Sequence, residues 1–293
     1  MGLRQIVVAT DLSARTWRPL GRGVVLARQH GAELHLVHVI PQFSLKEMSE
    51  SYRSHQIRVE DETRWVDAAR AQLHTLAESA SAQFGIPVHE RALLGNAASE
   101  VDAFVRTLPA DLLVVGAHGE GFLRDLLLGS TAFALAQRVV CPSLISKTEG
   151  RQAYANVIVG IDLMSVGRRA LEAAARIAPS AHLAALHSVR IRYEGVFNAL
   201  SSEPGELDAA RRQAVDAARR ELNEFVDGSD AARRVGRITE YGHAAHALVS
   251  HALAAHADLI VVGRHSSMSG EARFGGVAKR VAEAADCDVL VVP

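Results

Sequence analysis

The sequence predicts an α/β chain built as two tandem, doubly wound parallel-sheet domains. Two observations carry that reading. The chain repeats itself at a spacing of about 150 residues, and within each copy short β-branched runs alternate with helical segments. Arg4–Asp11 (RQIVVATD) matches Ala155–Asp162 (ANVIVGID), and Glu33–Ile40 matches His182–Val189, with His38 and His187 in corresponding places. Gly95–Ala98 matches Gly242–Ala245, Asp111–Gly116 (DLLVVG) matches Asp258–Gly263 (DLIVVG), and Cys141–Ile145 matches Cys287–Val291. The offset drifts from 151 to 146 along the chain, as small loop deletions would make it. The expected domains are residues 1–148 and 153–293, joined by the polar, glycine-containing stretch Lys147–Gln152.

The elements of the first copy follow in order. Ile6–Val8 reads as a buried strand, Ala14–His30 as a helix and Glu33–Ile40 as a second strand. Val59–Phe84 reads as a long amphipathic helix, because Trp65, Ala68, Ala69, Leu73 and Leu76 recur at helical spacing. Gly85 and Pro87 stop it. Ile86–Leu94, Asp111–Gly116 and Val140–Ser146 supply three more strands, with helices at Ala97–Leu108 and from Ser130. Such alternation implies parallel strands joined by right-handed crossovers. Pro41–Gln56 and Arg190–Pro204 fit neither period and read as loops or lids.

Composition narrows the function. With 48% hydrophobic and 22% charged residues the chain can bury a core, which excludes a disordered one. Lys+Arg 32 against Asp+Glu 33 leaves a net charge of -1, so no nucleic-acid partner is expected. Two cysteines cannot make a disulfide framework, and no apolar run approaches a membrane span. The N-terminus lacks a basic stretch followed by a long apolar one, so the expectation is a cytoplasmic protein without a membrane partner.

In an open parallel sheet, ligands sit beyond the carboxyl ends of strands where the winding reverses. Two segments end strands there: Ala9-Thr10-Asp11-Leu12-Ser13 and Val115-Gly116-Ala117-His118-Gly119. The second runs on to Gly129-Ser130-Thr131, where a helix begins. Free N–H groups of those three residues, with two hydroxyls, would form an anion site helped by the helix dipole. No lysine accompanies them, so this is not a Walker A loop.

Gly116, Gly119, Gly129 and Ser130 fill the pattern G-x2-G-x9-G-S. It follows the strand-one segment VVATDLS and the strand-two segment LVHVI, and precedes VCPSLI. In this order the motifs resemble the universal stress protein family in its ATP-binding branch, and the whole chain resembles a tandem member. The resemblance implies Rossmann-like domains and a site for ATP or another adenine nucleotide, with any Mg²⁺ carried by the phosphates and no metal ligands from the protein. It assigns Ala9, Thr10 and Asp11 to the nucleoside and the Val39 backbone to the adenine. Gly116, His118 and Gly119 go to ribose and phosphate, and Gly129, Ser130 and Thr131, with Ala132 beside them, to the phosphate turn. A proline is common in the family where Ala9 stands. The family's single domains dimerise through their last strand, which implies an intramolecular pseudo-dimer here, or a homodimer.

The second copy departs from this pattern. Asp162 and Gly263 are kept and His265 stands in register with His118, but Ser266 replaces Gly119. The loop is one residue shorter, and Gly275-Gly276-Val277 replaces Gly-Ser-Thr and removes both hydroxyls. A weakened second site at Asp162, Gly263, His265, Gly275, Gly276 and Val277 is the expectation.

Several residues have plainer roles. Ser130 is a good N-cap in any protein, Asp11 could cap the helix after strand one, and His38 and His187 read as satisfied crevice histidines. His243, His246, His251 and His256 lack a carboxylate or cysteine at zinc-ligand spacing. Cys141 and Cys287 read as small buried hydrophobes, and Arg211, Arg212, Arg219 and Arg220 beside Asp208, Asp216 and Glu221 as a solvated ion-paired face. There is no G-x-S-x-G elbow, no clustered carboxylate pair and no catalytic residue to name. The leading function is a nucleotide-binding regulatory or signalling module in stress response, working on a protein partner. A slow ATPase or adenylyl-transferring enzyme, and a nucleotide-independent interaction scaffold, stay open beside it.

Overall fold

The computed structural model describes residues 2–41, 59–117, 128–192, 194, 205–229, 232–264 and 275–293. The chain forms two units, Gly2–Gln152 and Ala153–Pro293.

In the first unit, β1 (Gln5–Thr10) leads through a 3-10 turn (Ala14–Thr16) into α1 (Trp17–His30), followed by β2 (Glu33–Ile40), α2 (Val59–Phe84) and β3 (Val88–Leu94). Then come α3 (Ala97–Thr107), β4 (Leu112–Gly116), α4 (Ser130–Arg138) and β5 (Ser143–Ser146). The strands lie in the order β3-β2-β1-β4-β5, all parallel, with Val8 between Leu36 and Val114. Ile6, Val7, Val8, Leu112, Leu113 and Val114 are wholly buried, as strands covered by helices on both faces must be. Winding from β1 outward proceeds first through β2 and β3, then reverses to β4, so the switch point lies between the ends of β1 and β4.

Local chemistry sets the boundaries. Gly31 and Gly85 end α1 and α2 in the left-handed region, φ 64° and 67°. The Asn96 side chain accepts the Ser99 N–H at 3.1 Å and caps α3. Asp111 accepts the N–H groups of Arg4 and Gln5 at 2.8 and 3.1 Å, which fixes the start of β1 beside β4. Gly23 brings α1 onto β1: a Cβ there would lie 2.5 Å from Val8 Cγ2.

Three expectations need correction. The helix expected from Ala14 starts as a 3-10 turn, because buried Thr16 turns its hydroxyl back to that of Thr10 at 2.8 Å. β5 begins at Ser143 rather than Val140, since Pro142 has no N–H for a ladder and Val140 is exposed. The buried stripe of α2 runs through Leu73, Ala77 and Ala80, whereas Trp65 and Ala68 face solvent. The helix has 26 residues and β3 only 7, so about 39 Å of helix overhangs about 23 Å of strand.

The second unit repeats the plan. Its elements are β6 (Asn156–Gly160), α5 (Ser165–Ile177), β7 (His182–Val189), α6 (Glu206–Asp227), β8 (Val235–Tyr241), α7 (Ala244–Ala254), β9 (Leu259–Gly263), α8 (Gly276–Ala284) and β10 (Asp288–Val292). The strand order is β8-β7-β6-β9-β10, again parallel. Asp258 accepts the N–H groups of Ala155 and Asn156, the counterpart of the Asp111 contact. Along α6, Arg211 pairs with Asp208 and Arg219 with Asp216, a solvated ion-paired face; Arg211 also reaches Glu194, which the sequence did not disclose. No helix among the described residues is long and apolar enough to cross a membrane.

Candidate functional site

The switch point of the first unit holds a cleft of about 590 Å³, within the roughly 300–1,000 Å³ of small-molecule sites. Its walls come from five places: the end of β1, the 3-10 turn and first turn of α1, the end of β2, the start of α3, and β4 with the first turns of α4. Val101, Val115 and Leu135 supply apolar surface.

The β1 end is shaped by side chains folding back on the backbone. Thr10 Oγ1 accepts the Leu12 N–H at 2.9 Å, and Asp11 Oδ1 accepts the Ser13 N–H at 3.0 Å. These bonds hold Leu12 at φ 60°, a conformation costly for a branched side chain, about 1–3 kcal/mol. Asp11 is exposed, and its Oδ2 has no partner among the described residues. At the β2 end, His38 Nδ1 lies 2.9 Å from the Thr10 carbonyl oxygen. A carbonyl only accepts, so Nδ1 carries a proton, and in the tautomer this selects Nε2 is the acceptor.

The start of α4 corrects one expectation. Gly129 N–H is not free: it donates to the Ala117 carbonyl at 2.8 Å and closes the neck of the intervening loop. The first helical bond is Phe133 N–H to Gly129 O at 2.9 Å, which leaves the N–H groups of Ser130, Thr131 and Ala132 unspent. The anion site is thus shifted one residue along the chain. Ser130 and Thr131 are exposed, and neither hydroxyl has a partner among the described residues.

Of the residues singled out in sequence, Ala9, Thr10, Asp11, Val39, Gly116, Gly129, Ser130, Thr131 and Ala132 line this one cleft. His118, Gly119, His265 and Ser266 lie outside the described residues, as do most of the expected loops at Pro41–Gln56 and Arg190–Pro204. Sequence reading missed Ser13, Arg15 and Thr16, which also line it. The available signal was the repeat itself, which aligns polar Arg15 and Thr16 with Val166 and Gly167.

In the second unit, Asp162, Gly263, Gly275, Gly276 and Val277 line a cleft of about 270 Å³, less than half the volume of the first. Asp162 Oδ1 accepts the N–H groups of Met164 and Gly167 at 3.0 and 2.9 Å, so the carboxylate serves the start of α5. Gly167 permits this, since a Cβ there would stand 2.7 Å from that oxygen. His187 Nδ1 meets the Ile161 carbonyl at 2.8 Å, and Gly275 N–H meets the Arg264 carbonyl at 2.8 Å. The scaffold of the site is therefore repeated with Asp162 and His187 kept, but without counterparts of Arg15, Ser130 and Thr131 on its walls.

Two of the remaining histidines have ordinary partners. His251 Nε2 lies 2.5 Å from Glu240, and His243 Nδ1 3.2 Å from Arg190. Among the described residues no group of three or more His, Cys, Asp or Glu is placed to hold a metal. Cys141 and Cys287 are buried free thiols, and burial pushes the Cys141 thiol up to about 12.

Comparison with known proteins follows the same division of the chain. The model of the universal stress protein family matches residues 2–147 and again 153–293. The chain is a tandem member of the universal stress protein family. A universal stress protein of Methanocaldococcus jannaschii is 28% identical over 148 residues, 49% of this chain and 82% of the relative. Among solved structures, a universal stress protein from Archaeoglobus fulgidus superposes with a TM-score of 0.67 at 18% identity, covering 98% of this chain and 96% of its own. A functionally unknown protein of Pseudomonas aeruginosa gives 0.65 at 18% identity, covering 99% and 92%. At such identity these structures establish that this universal stress protein shares their fold.

Proposed function

We propose that this universal stress protein binds one adenine nucleotide, in the cleft of its first unit, and acts as a regulatory module in stress response whose state follows occupancy. The observation that carries the reading is the first turn of α4. Three unspent N–H groups and two unpaired hydroxyls open there on a cleft of nucleotide size. Asp11 Oδ2 and the His38 Nε2 lone pair offer acceptors to the hydroxyl and amino hydrogens of a nucleoside. Mg²⁺ enters with the phosphates rather than through protein ligands. The role is binding rather than turnover, because no described side chain in the cleft is poised as a base for water; Asp11 spends one oxygen on its own turn.

Native mass spectrometry of the purified protein, followed by calorimetry with ATP, tests the reading. The expected result is one adenine nucleotide per chain. Absence of retained nucleotide, together with no heat of binding at millimolar ATP, overturns it.

A further inference from the structure

We infer that Arg15 is the residue that makes the first cleft select a phosphorylated ligand over the bare nucleoside, and that Val166 removes this selectivity from the second. The inference rests on the adenine-nucleotide reading and deepens it.

Arg15 sits in the 3-10 turn between β1 and α1 and lines the cleft. It is exposed, and among the described residues its guanidinium has no hydrogen bond or ion pair. That is unlike Arg70, Arg106, Arg151, Arg211, Arg219 and Arg237, each of which holds a carboxylate. The nearest acid in sequence, Asp11, is turned to the Ser13 N–H instead. An unpaired guanidinium offers five donors in a planar fork matched to phosphate oxygens.

The ionisable groups lining the two clefts differ accordingly. Asp11, Arg15 and His38 line the first, and Asp162 and His187 the second. Among the described residues the first cleft sets a cation beside its carboxylate, whereas the second has a carboxylate and no cation on its walls. An anionic ligand is drawn to the first and repelled by the second. The exchange of Arg15 for Val166 accompanies that of Ser130 and Thr131 for Gly276 and Val277, so these three side-chain donors are lost together.

Calorimetric titration of the full chain with ATP and, separately, with adenosine tests this in wild type, Arg15→Met and Arg15→Lys. Methionine keeps the apolar stem and removes the charge. The loss expected for ATP is about 10- to 100-fold, the scale of one charge-assisted hydrogen bond, with adenosine changed less than about twofold. Lysine restores part of the ATP affinity by charge alone. Circular dichroism checks that the variants fold. Unchanged ATP affinity in Arg15→Met, or equal losses for ATP and adenosine, overturns the inference while leaving the nucleotide reading intact. Wild type that binds neither ligand overturns both.

Discussion

His38 Nδ1 lies 2.9 Å from the carbonyl oxygen of Thr10, and the same bond recurs between His187 and Ile161 at 2.8 Å. Each bond ties the end of the second strand of a unit to the end of the first, across the floor from which the cleft opens. The prediction is a fixed tautomer: for the neutral form of both rings, ¹⁵N NMR should find Nδ1 protonated and Nε2 bare. An Nε2–H signal at either position refutes the assignment.

The second prediction separates the units. Ser130→Ala with Thr131→Ala should weaken ATP binding by at least about tenfold, since each hydroxyl can donate to a charged phosphate. Three backbone N–H groups survive the change, so binding should not vanish. Wild-type stoichiometry should be near one, because the second cleft is smaller and has Val166, Gly276 and Val277 where the first has Arg15, Ser130 and Thr131. Calorimetry showing two equal sites contradicts this.

The third concerns acid. His35 is held below its ordinary value of 6.5, first by burial, then by the neighbouring His89 and, less, by Arg91, with Glu33 opposing. Its Nε2 lies 2.7 Å from Gln5 Oε1, and its ring stacks on His89 at 5.2 Å. The folded state prefers the neutral ring, so the unfolded chain takes up the proton first as pH falls. The stability contribution is therefore complete above 6.5 and is lost as pH drops through that value toward the lower folded one. Urea midpoints should fall between about pH 7 and pH 5, and His35→Gln should flatten the slope.

Cys141 gives a fourth. With its thiol pushed up to about 12 by burial, native protein at pH 8 should resist iodoacetamide, and denaturant should release the reaction. Peptide mass spectrometry that finds rapid native labelling of Cys141 would contradict it.

The fifth sets packing against propensity. Gly23→Ala gains about 1 kcal/mol of helix propensity, but forces a Cβ to 2.5 Å from Val8 Cγ2 and 3.2 Å from Leu34 Cδ1 in a fully buried layer. Overpacking of that kind costs about 1–3 kcal/mol, so the variant should be less stable by urea unfolding.

Much of this was legible in the sequence, and the exceptions share a cause. Glu33–Ile40 and Val59–Phe84 are bounded as expected because glycines at 31 and 85 end the preceding or enclosed helix by conformation alone. Trp65 was misread because apolar spacing says which residues share a helix face, while burial depends on how far the neighbouring strand extends. At the site, the strand-end residues were legible since position at a switch point follows from topology. Arg15 and the Gly129–Ala117 bond were not, because both depend on what the fold brings near: an unpaired guanidinium in one case, a carbonyl across a loop in the other.

That bond across the neck, and its twin from Gly275 to Arg264, make each enclosed stretch a cassette. Eleven residues lie between Ala117 and Gly129 and ten between Arg264 and Gly275, yet chain enters and leaves through the same clasp. Closing eleven residues rather than ten costs only roughly 0.1 kcal/mol of chain entropy. Exchanging residues 118–128 for 265–274 should therefore leave the clasp, and with it β4 and α4, where they are. The two copies could diverge in ligand chemistry without renegotiating their architecture.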